Sequence, residues 1–260
     1  MHYNLLFNGC SYTQGSELQG KNDDFEYRDK HRYSQIISEK TGKTYANISM
    51  GGSSNDRITR ETIEWFERGN TCDIAVIQFT TLIRAEYISK YARHPVNFTS
   101  SHGVVTQWGT NNKKDHQDTR EAYNAYYKIF YNDNIGLYNF YKNLYILEQY
   151  FEKNNINHLF FKLDINRIST FKLDIEDCKV RDNDGNVVDF YWQVGCKNRY
   201  SYITSIRGQI IDIHDKSNFT KDYSNEGYRF LNGTHPSELG HQRIADYVMN
   251  MITDKYNDLL

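Results

Sequence analysis

The heptapeptide Asp73-Ile74-Ala75-Val76-Ile77-Gln78-Phe79 constrains this chain more than any other stretch. It is almost continuously apolar and too short for a typical helix, so it reads as a strand covered on both faces, the pattern of a central parallel strand. Parallel strands need crossovers, and the preceding sequence supplies them. Tyr3 to Phe7 is a short apolar run stopped by Asn8-Gly9 and reads as a first strand. Tyr33 to Lys40 carries apolar groups at helical spacing and stops at Gly42, a plausible C-cap. Thr44 to Ser49 reads as a second strand. Asn55 or Asp56 can then cap a helix running through Ile58, Ile63, Trp65 and Phe66 to Gly69. Strand, helix, strand, helix, strand predicts a layered α/β domain around a mostly parallel sheet.

Beyond Phe79 the pattern loosens. Residues 88–118 are polar, contain Gly103 and Gly109, and lack periodicity, so a covering loop or lid is expected there. Thr119 to Asn154 is helical in character, interrupted around Asp133-Asn134 and Gly136. Its second half places Leu137, Phe140, Tyr141, Leu144, Leu147 and Phe151 at helical spacing. His158 to Leu163 reads as a fourth strand. Residues 164–230 form an irregular insert in which Asp182-Asn183-Asp184-Gly185-Asn186 is a turn between two strand-like runs. That acidic turn superficially resembles a calcium loop, but Gln193 stands nearest to where the loop's glutamate belongs, so the turn is preferred. An amphipathic helix from Pro236 to about Tyr256, with Leu239, Ile244, Val248 and Ile252 on one face, closes the chain. A single domain over 1–260 accommodates all of this.

Charge and composition narrow the function classes. With 31 basic and 33 acidic side chains the net charge is -2, which argues against nucleic acid as a partner. No apolar run is long enough to span a membrane. The first residues carry no basic stretch, apolar core and cleavage site, so a soluble cytoplasmic or phage-encoded protein is expected. Cys10, Cys72, Cys178 and Cys196 show no paired ligand spacing, and His94, His102 and His116 are scattered. Neither a metal nor a cofactor is expected. The 22 tyrosines allow an aromatic surface for sugars, but codon bias with ordinary packing accounts for them better.

Two segments at opposite ends of the chain carry chemistry: Phe7-Asn8-Gly9-Cys10-Ser11-Tyr12-Thr13-Gln14-Gly15 and Asn232-Gly233-Thr234-His235-Pro236-Ser237-Glu238-Leu239-Gly240-His241. A serine on the tight turn after a first strand exposes its hydroxyl at the C-terminal edge of the sheet. Its own N–H can point to the same place, so one residue can be nucleophile and oxyanion donor. Taken alone, Ser11 is better explained as a helix cap. His235, in a turn before the last helix, supplies a base that can take the serine proton and return it to a leaving group.

The two segments resemble the first and last motif blocks of the SGNH (GDSL-like) hydrolase superfamily. The first block's Gly-Asp-Ser and following glycine match Gly9-Cys10-Ser11 and Gly15. The last block's Asp-x-x-His-Pro matches Asn232-Gly233-Thr234-His235-Pro236, followed by Gly240-His241-Gln242-Arg243-Ile244-Ala245. Between them Asn47-Ile48-Ser49-Met50-Gly51-Gly52-Ser53-Ser54 resembles the second block, with Gly52 matching the family's N–H donor. The resemblance implies a flavodoxin-like α/β/α sandwich of SGNH type and a nucleophile–base pair of Ser11 and His235. Cys10 replaces the aspartate before the nucleophile, and Asn232 replaces the one that orients the base. Asn232 can still accept the His235 N–H, without the charge. The third block, Gly-x-Asn-Asp, is missing: Thr80-Thr81-Leu82-Ile83-Arg84 follows Phe79. Thr80, Thr81 or Asn55 would then join Ser11 and Gly52 in the oxyanion hole, though Asn55 is slightly better read as a helix cap. Arg84 and Glu86 could line the pocket. His241 is read as structural. The implied activity is hydrolysis of a small acyl ester, acetyl among the possibilities, on a small molecule or carbohydrate. The alternatives are an O-acyltransferase with the same pair, and a degenerate carbohydrate-binding or structural module.

Overall fold

In the computed structural model, residues 1–16, 18, 25–88, 102–106, 109–110, 126, 129, 133–162, 179–181, 187–189, 211–212, 235–256 and 259 are described. In chain order the elements are β1 (His2–Asn8), α1 (Ser11–Gln14), α2 (Phe25–His31), α3 (Tyr33–Thr41), β2 (Tyr45–Asn47), α4 (Asn55–Glu67) and β3 (Thr71–Phe79). They continue as β4 (Ala85–Ile88), β5 (His102–Thr106), β6 (Gly109–Thr110), α5 (Asp133–Lys153), β7 (Asn157–Lys162), β8 (Lys179–Arg181), β9 (Val187–Asp189), β10 (Ile211–Asp212) and α6 (Glu238–Tyr256).

The main sheet has the order β10-β7-β3-β1-β2, and every pairing in it is parallel. Read from the other edge this is the flavodoxin-like sequence of strands, with its reversal of direction between β1 and β3. Strand alternation divides the core in two. Leu5 and Phe7 of β1, Ile74 and Val76 of β3, and Leu159 and Phe161 of β7 face Tyr33 and Ile37 of α3 and Ile244, Val248 and Ile252 of α6. Leu6, Ala75, Ile77, Phe79 and Phe160 face the opposite way, onto Ile58 of α4 and Phe140, Leu144, Leu147 and Phe151 of α5. Strands buried on both faces have no polar side, which is why β3 reads as an unbroken apolar run. The expected three-layer sandwich is therefore present.

Several boundaries differ from expectation. The N-cap of α4 is Ser54, whose Oγ accepts from the Arg57 N–H at 3.2 Å; Asn55 is turned into the core instead. Gly136 does not interrupt the helix: α5 starts at Asp133 and runs through Gly136, which is buried. Part of 88–118 is sheet, since β4, β5 and β6 pair antiparallel; the rest lies outside the described residues. So does most of 164–230, but β8 and β9 pair antiparallel with Arg181 opposite Val187, as the hairpin reading requires.

At the end of the chain, α6 begins at Glu238 rather than Pro236, and Ser237 Oγ accepts from the Gly240 N–H at 3.3 Å. Leu239 is 45 % exposed and is not on the core face. It lies five residues before Ile244, about 140° round the helix. His241 takes a buried place on that face instead. Among the described residues no helix is long and apolar enough to cross a membrane.

Candidate active site

The turn after β1 is built around glycine. A Cβ on Gly9 would overlap Thr13 Oγ1 and come within 2.9 Å of Gln78 Cβ, so no larger residue fits. Asn8 anchors the strand end beside it: its Nδ2 donates to Ile58 O at 3.0 Å and Thr62 Oγ1 at 2.8 Å, and its Oδ1 accepts from Gly9 N–H at 2.8 Å. Ser11 is then the first residue of α1, a single turn closed by Gly15 in the left-handed region at φ 81°. The Ser11 carbonyl accepts from Gly15 and Ser16, while its N–H, orphaned at the helix start, has no protein acceptor among the described residues. Its hydroxyl makes only a 3.9 Å contact with Cys10 Sγ.

Gln78 holds this turn from below. It is fully buried in β3, between the apolar run Ile74-Ala75-Val76-Ile77 and Phe79. Its Oε1 accepts from Thr13 Oγ1 at 2.6 Å and from Cys10 N–H at 3.3 Å, and its Nε2 donates to Phe79 O at 3.0 Å. Thr13 Oγ1 in turn accepts from Tyr33 O–H at 2.9 Å, and Tyr33 N–H donates to His241 Nδ1 at 3.2 Å. A buried hydrogen-bonded chain thus runs from β3 through the serine turn to α6, the helix that His235 precedes. Burial drives the His241 pKa down to about 3, helped by its electrostatic interactions with His235 and Arg32, so its ring is neutral. Burial also pushes the Tyr33 hydroxyl well above its ordinary value. Sequence reading missed Gln78, Thr13 and Tyr33; the signal available was one glutamine in an otherwise apolar strand.

The loop after β2 lies along the same edge. Met50 N–H donates to Gly9 O at 3.4 Å, and Gly51 N–H to Gln14 Oε1 at 2.7 Å. Gly52 follows in the left-handed region at φ 79°, and its N–H also lacks a protein acceptor among the described residues.

The loop after β3 corrects part of the expected oxyanion set. Asn55 clasps Thr80 by its backbone: Oδ1 accepts from Thr80 N–H at 2.8 Å and Nδ2 donates to Thr80 O at 3.2 Å. The Thr80 N–H is therefore engaged and is not an oxyanion donor. Asn55 keeps a single amide hydrogen beyond this clasp. Thr80 Oγ1 accepts from Arg84 Nη1 at 3.1 Å, which leaves its own hydroxyl hydrogen for another acceptor. Thr81 is half-buried beside it. Glu86 is engaged by Arg60, which it grips at 2.7 and 3.1 Å, and this pairing holds the guanidinium pKa above its ordinary value.

His235 comes to this edge from the far end of the chain. Its ring meets that of Tyr12, next to Ser11, edge-on with centroids 5.4 Å apart. No hydrogen bond joins Ser11 Oγ to His235 in this structure. Asn232 lies outside the described residues, as do His94 and His116. Ser11 at the start of α1 and Gly52, Thr80 and His235 on loops thus sit at one end of the parallel strands, beside the reversal between β1 and β3, where open α/β sheets place ligands.

No protein-family model matches the chain, and no curated protein matches it. Solved structures do. Esterase EstA from Pseudoalteromonas sp., in a structure inhibited by monoethylphosphonate, aligns over 98 % of this chain and 99 % of its own, with a TM-score of 0.50 at 10 % identity. A member of the lipolytic protein G-D-S-L family from Veillonella parvula DSM 2008 aligns over 97 % of this chain and 99 % of its own, with a TM-score of 0.44 at 12 % identity. At such identities the likeness to EstA is one of fold, and it extends through nearly the whole of both chains.

Proposed function

We propose that this chain, with the fold of an esterase and the Ser11 and His235 motifs at one sheet edge, is a serine esterase of the SGNH type. One observation carries the reading: among the described residues the N–H groups of Ser11 and Gly52 have no hydrogen-bond acceptor, and the Ser11 hydroxyl has only the long 3.9 Å contact with Cys10 Sγ, at the edge where the His235 ring meets Tyr12. Backbone donors with no protein acceptor, beside a turn held by buried hydrogen bonds, are what a developing oxyanion requires.

Ser11 Oγ attacks the acyl carbonyl while His235 takes its proton. The N–H groups of Ser11 and Gly52, with the Thr80 hydroxyl, receive the oxyanion. His235 then protonates the leaving alcohol, and water releases the acyl group by the same steps in reverse order. The absent Ser11–His235 bond is in keeping with free enzymes, whose catalytic hydrogen bonds often tighten only on substrate. Asn232, in the orienting position by resemblance, accepts the second imidazole N–H. Resemblance also favours a small acyl group, acetyl included, with a carbohydrate ester as one natural substrate.

The test is labelling by a fluorophosphonate together with hydrolysis of p-nitrophenyl acetate. Wild type is expected to label and turn over. Ser11→Ala should lose both, His235→Ala should lose turnover, and Asn232→Asp should preserve or raise it. Equal rates in all four proteins would remove the esterase reading and leave a binding module on an esterase fold.

A further inference from the structure

Arg84 is tied to two of the loops that form the edge carrying Ser11 and Gly52. It stands four residues past Thr80, between β3 and β4. Its Nη1 donates to Thr80 Oγ1 at 3.1 Å and to Ser53 O at 3.3 Å. These acceptors belong to the loops after β3 and β2, the strands that flank β1 and its serine turn. Both are neutral, and between them they take both hydrogens of Nη1. The opposite edge of the guanidinium, Nε and Nη2, meets no acceptor among the described residues, and neither atom is sealed from solvent. Other arginines differ. Arg28 and Arg32 pair with Asp29, Arg57 with Glu61, Arg60 with Glu86 and Arg68 with Glu64. Glu86, the acid nearest to Arg84 in sequence, is the one that Arg60 holds.

A guanidinium fixed through one nitrogen, with its two-donor edge and its charge unmatched among the described residues, suits a planar carboxylate in shape and charge. We infer that Arg84 determines specificity by binding a carboxylate carried by the ester, so that the preferred substrates are esters of acidic molecules. This rests on the esterase reading of Ser11 and His235, and adds the substrate class. The carboxylate can stand on the alcohol side or the acyl side of the ester.

Two matched pairs separate those sources: 4-acetoxybenzoate against its methyl ester, and 4-nitrophenyl hydrogen succinate against 4-nitrophenyl methyl succinate. In at least one pair the acid is expected to exceed its neutral twin in kcat/KM by about tenfold or more at low ionic strength, the size of a charge-assisted contact. Added salt should shrink the excess. Arg84→Gln should bring the ratio to about one, and Arg84→Lys, with charge but no fork, should keep part of it. Ratios near one in wild type for both pairs, or a preference that survives Arg84→Gln, would overturn the assignment. If the glutamine variant does not fold, the fall in ratio on Arg84→Lys decides.

Calorimetric titration of Ser11→Ala with 4-acetoxybenzoate reads the same contact without turnover. Binding that the methyl ester lacks, and that is lost in Ser11→Ala/Arg84→Gln, supports Arg84 even if no ester is hydrolysed, an outcome that would sink the esterase reading alone. Hydrolysis of all esters without an acid preference would do the reverse.

Discussion

His241 shows how a residue-scale detail becomes a property of the protein. Its pKa of about 3 lies below the ordinary 6.5 that the unfolded chain retains. As pH falls the unfolded state therefore takes up this proton first. The stabilisation by the neutral ring is complete above about pH 6.5 and is lost progressively as pH drops towards 3. Between those limits it contributes a slope approaching about 1.4 kcal/mol per pH unit. Urea unfolding of wild type and His241→Gln at pH 7.5 and 4.5 should show the wild type losing more stability on acidification; parallel losses would contradict this. Asn55 offers a second case. In Asn55→Asp the carboxylate still accepts from Thr80 N–H but opposes Thr80 O where Nδ2 now donates. A cost of about 2 kcal/mol is expected at neutral pH, measurable by chemical denaturation.

At the scale of elements, turns decide where side chains arrive. The β1–α1 turn is the tightest of them, since Gly9 has Thr13 and Gln78 against it. Gly9→Ala is expected to cost about 2 kcal/mol or more through overpacking, and to lower turnover by displacing Ser11. Thermal unfolding and p-nitrophenyl acetate hydrolysis measure the two effects. Tyr33→Phe keeps the ring in the core but removes the donor to Thr13, so about 1 kcal/mol is expected to be lost, with kcat falling more than KM changes. Helix α4 shows where sequence patterns mislead at this scale. Ser54, Asn55 and Asp56 are all capable caps, and only the pull of Thr80's backbone on Asn55 leaves Ser54 to do it.

For the whole molecule, the issue is how two chain ends meet. Helix α6 covers one face of the sheet, with Ile244, Val248 and Ile252 fully buried, at about 1.5–3 kcal/mol each. That sum is comparable to the entire stability of a typical domain, about 5–15 kcal/mol. A chain ending at residue 234 is therefore expected to lose cooperative unfolding, seen by circular dichroism against denaturant. Much of this architecture could be read without coordinates. The strands β1, β3 and β7 announce themselves because burial on both faces leaves runs such as Leu5-Leu6-Phe7, Ile74-Ala75-Val76-Ile77 and Leu159-Phe160-Phe161 without a polar position, and Gly42 marks a helix end by needing a left-handed backbone. Ser11, Gly52 and His235 could be singled out as candidates because turn chemistry and motif order are local properties of the chain. The clasp of Asn55 on Thr80, the pairing of Glu86 with Arg60, the bare edge of Arg84 and the chain from Gln78 to His241 could not. Each depends on residues distant in sequence, up to 208 positions apart, or on a choice among several capable partners. Local sequence records what a side chain can do, but only the closing of the sheet and its helices determines which partner is within reach.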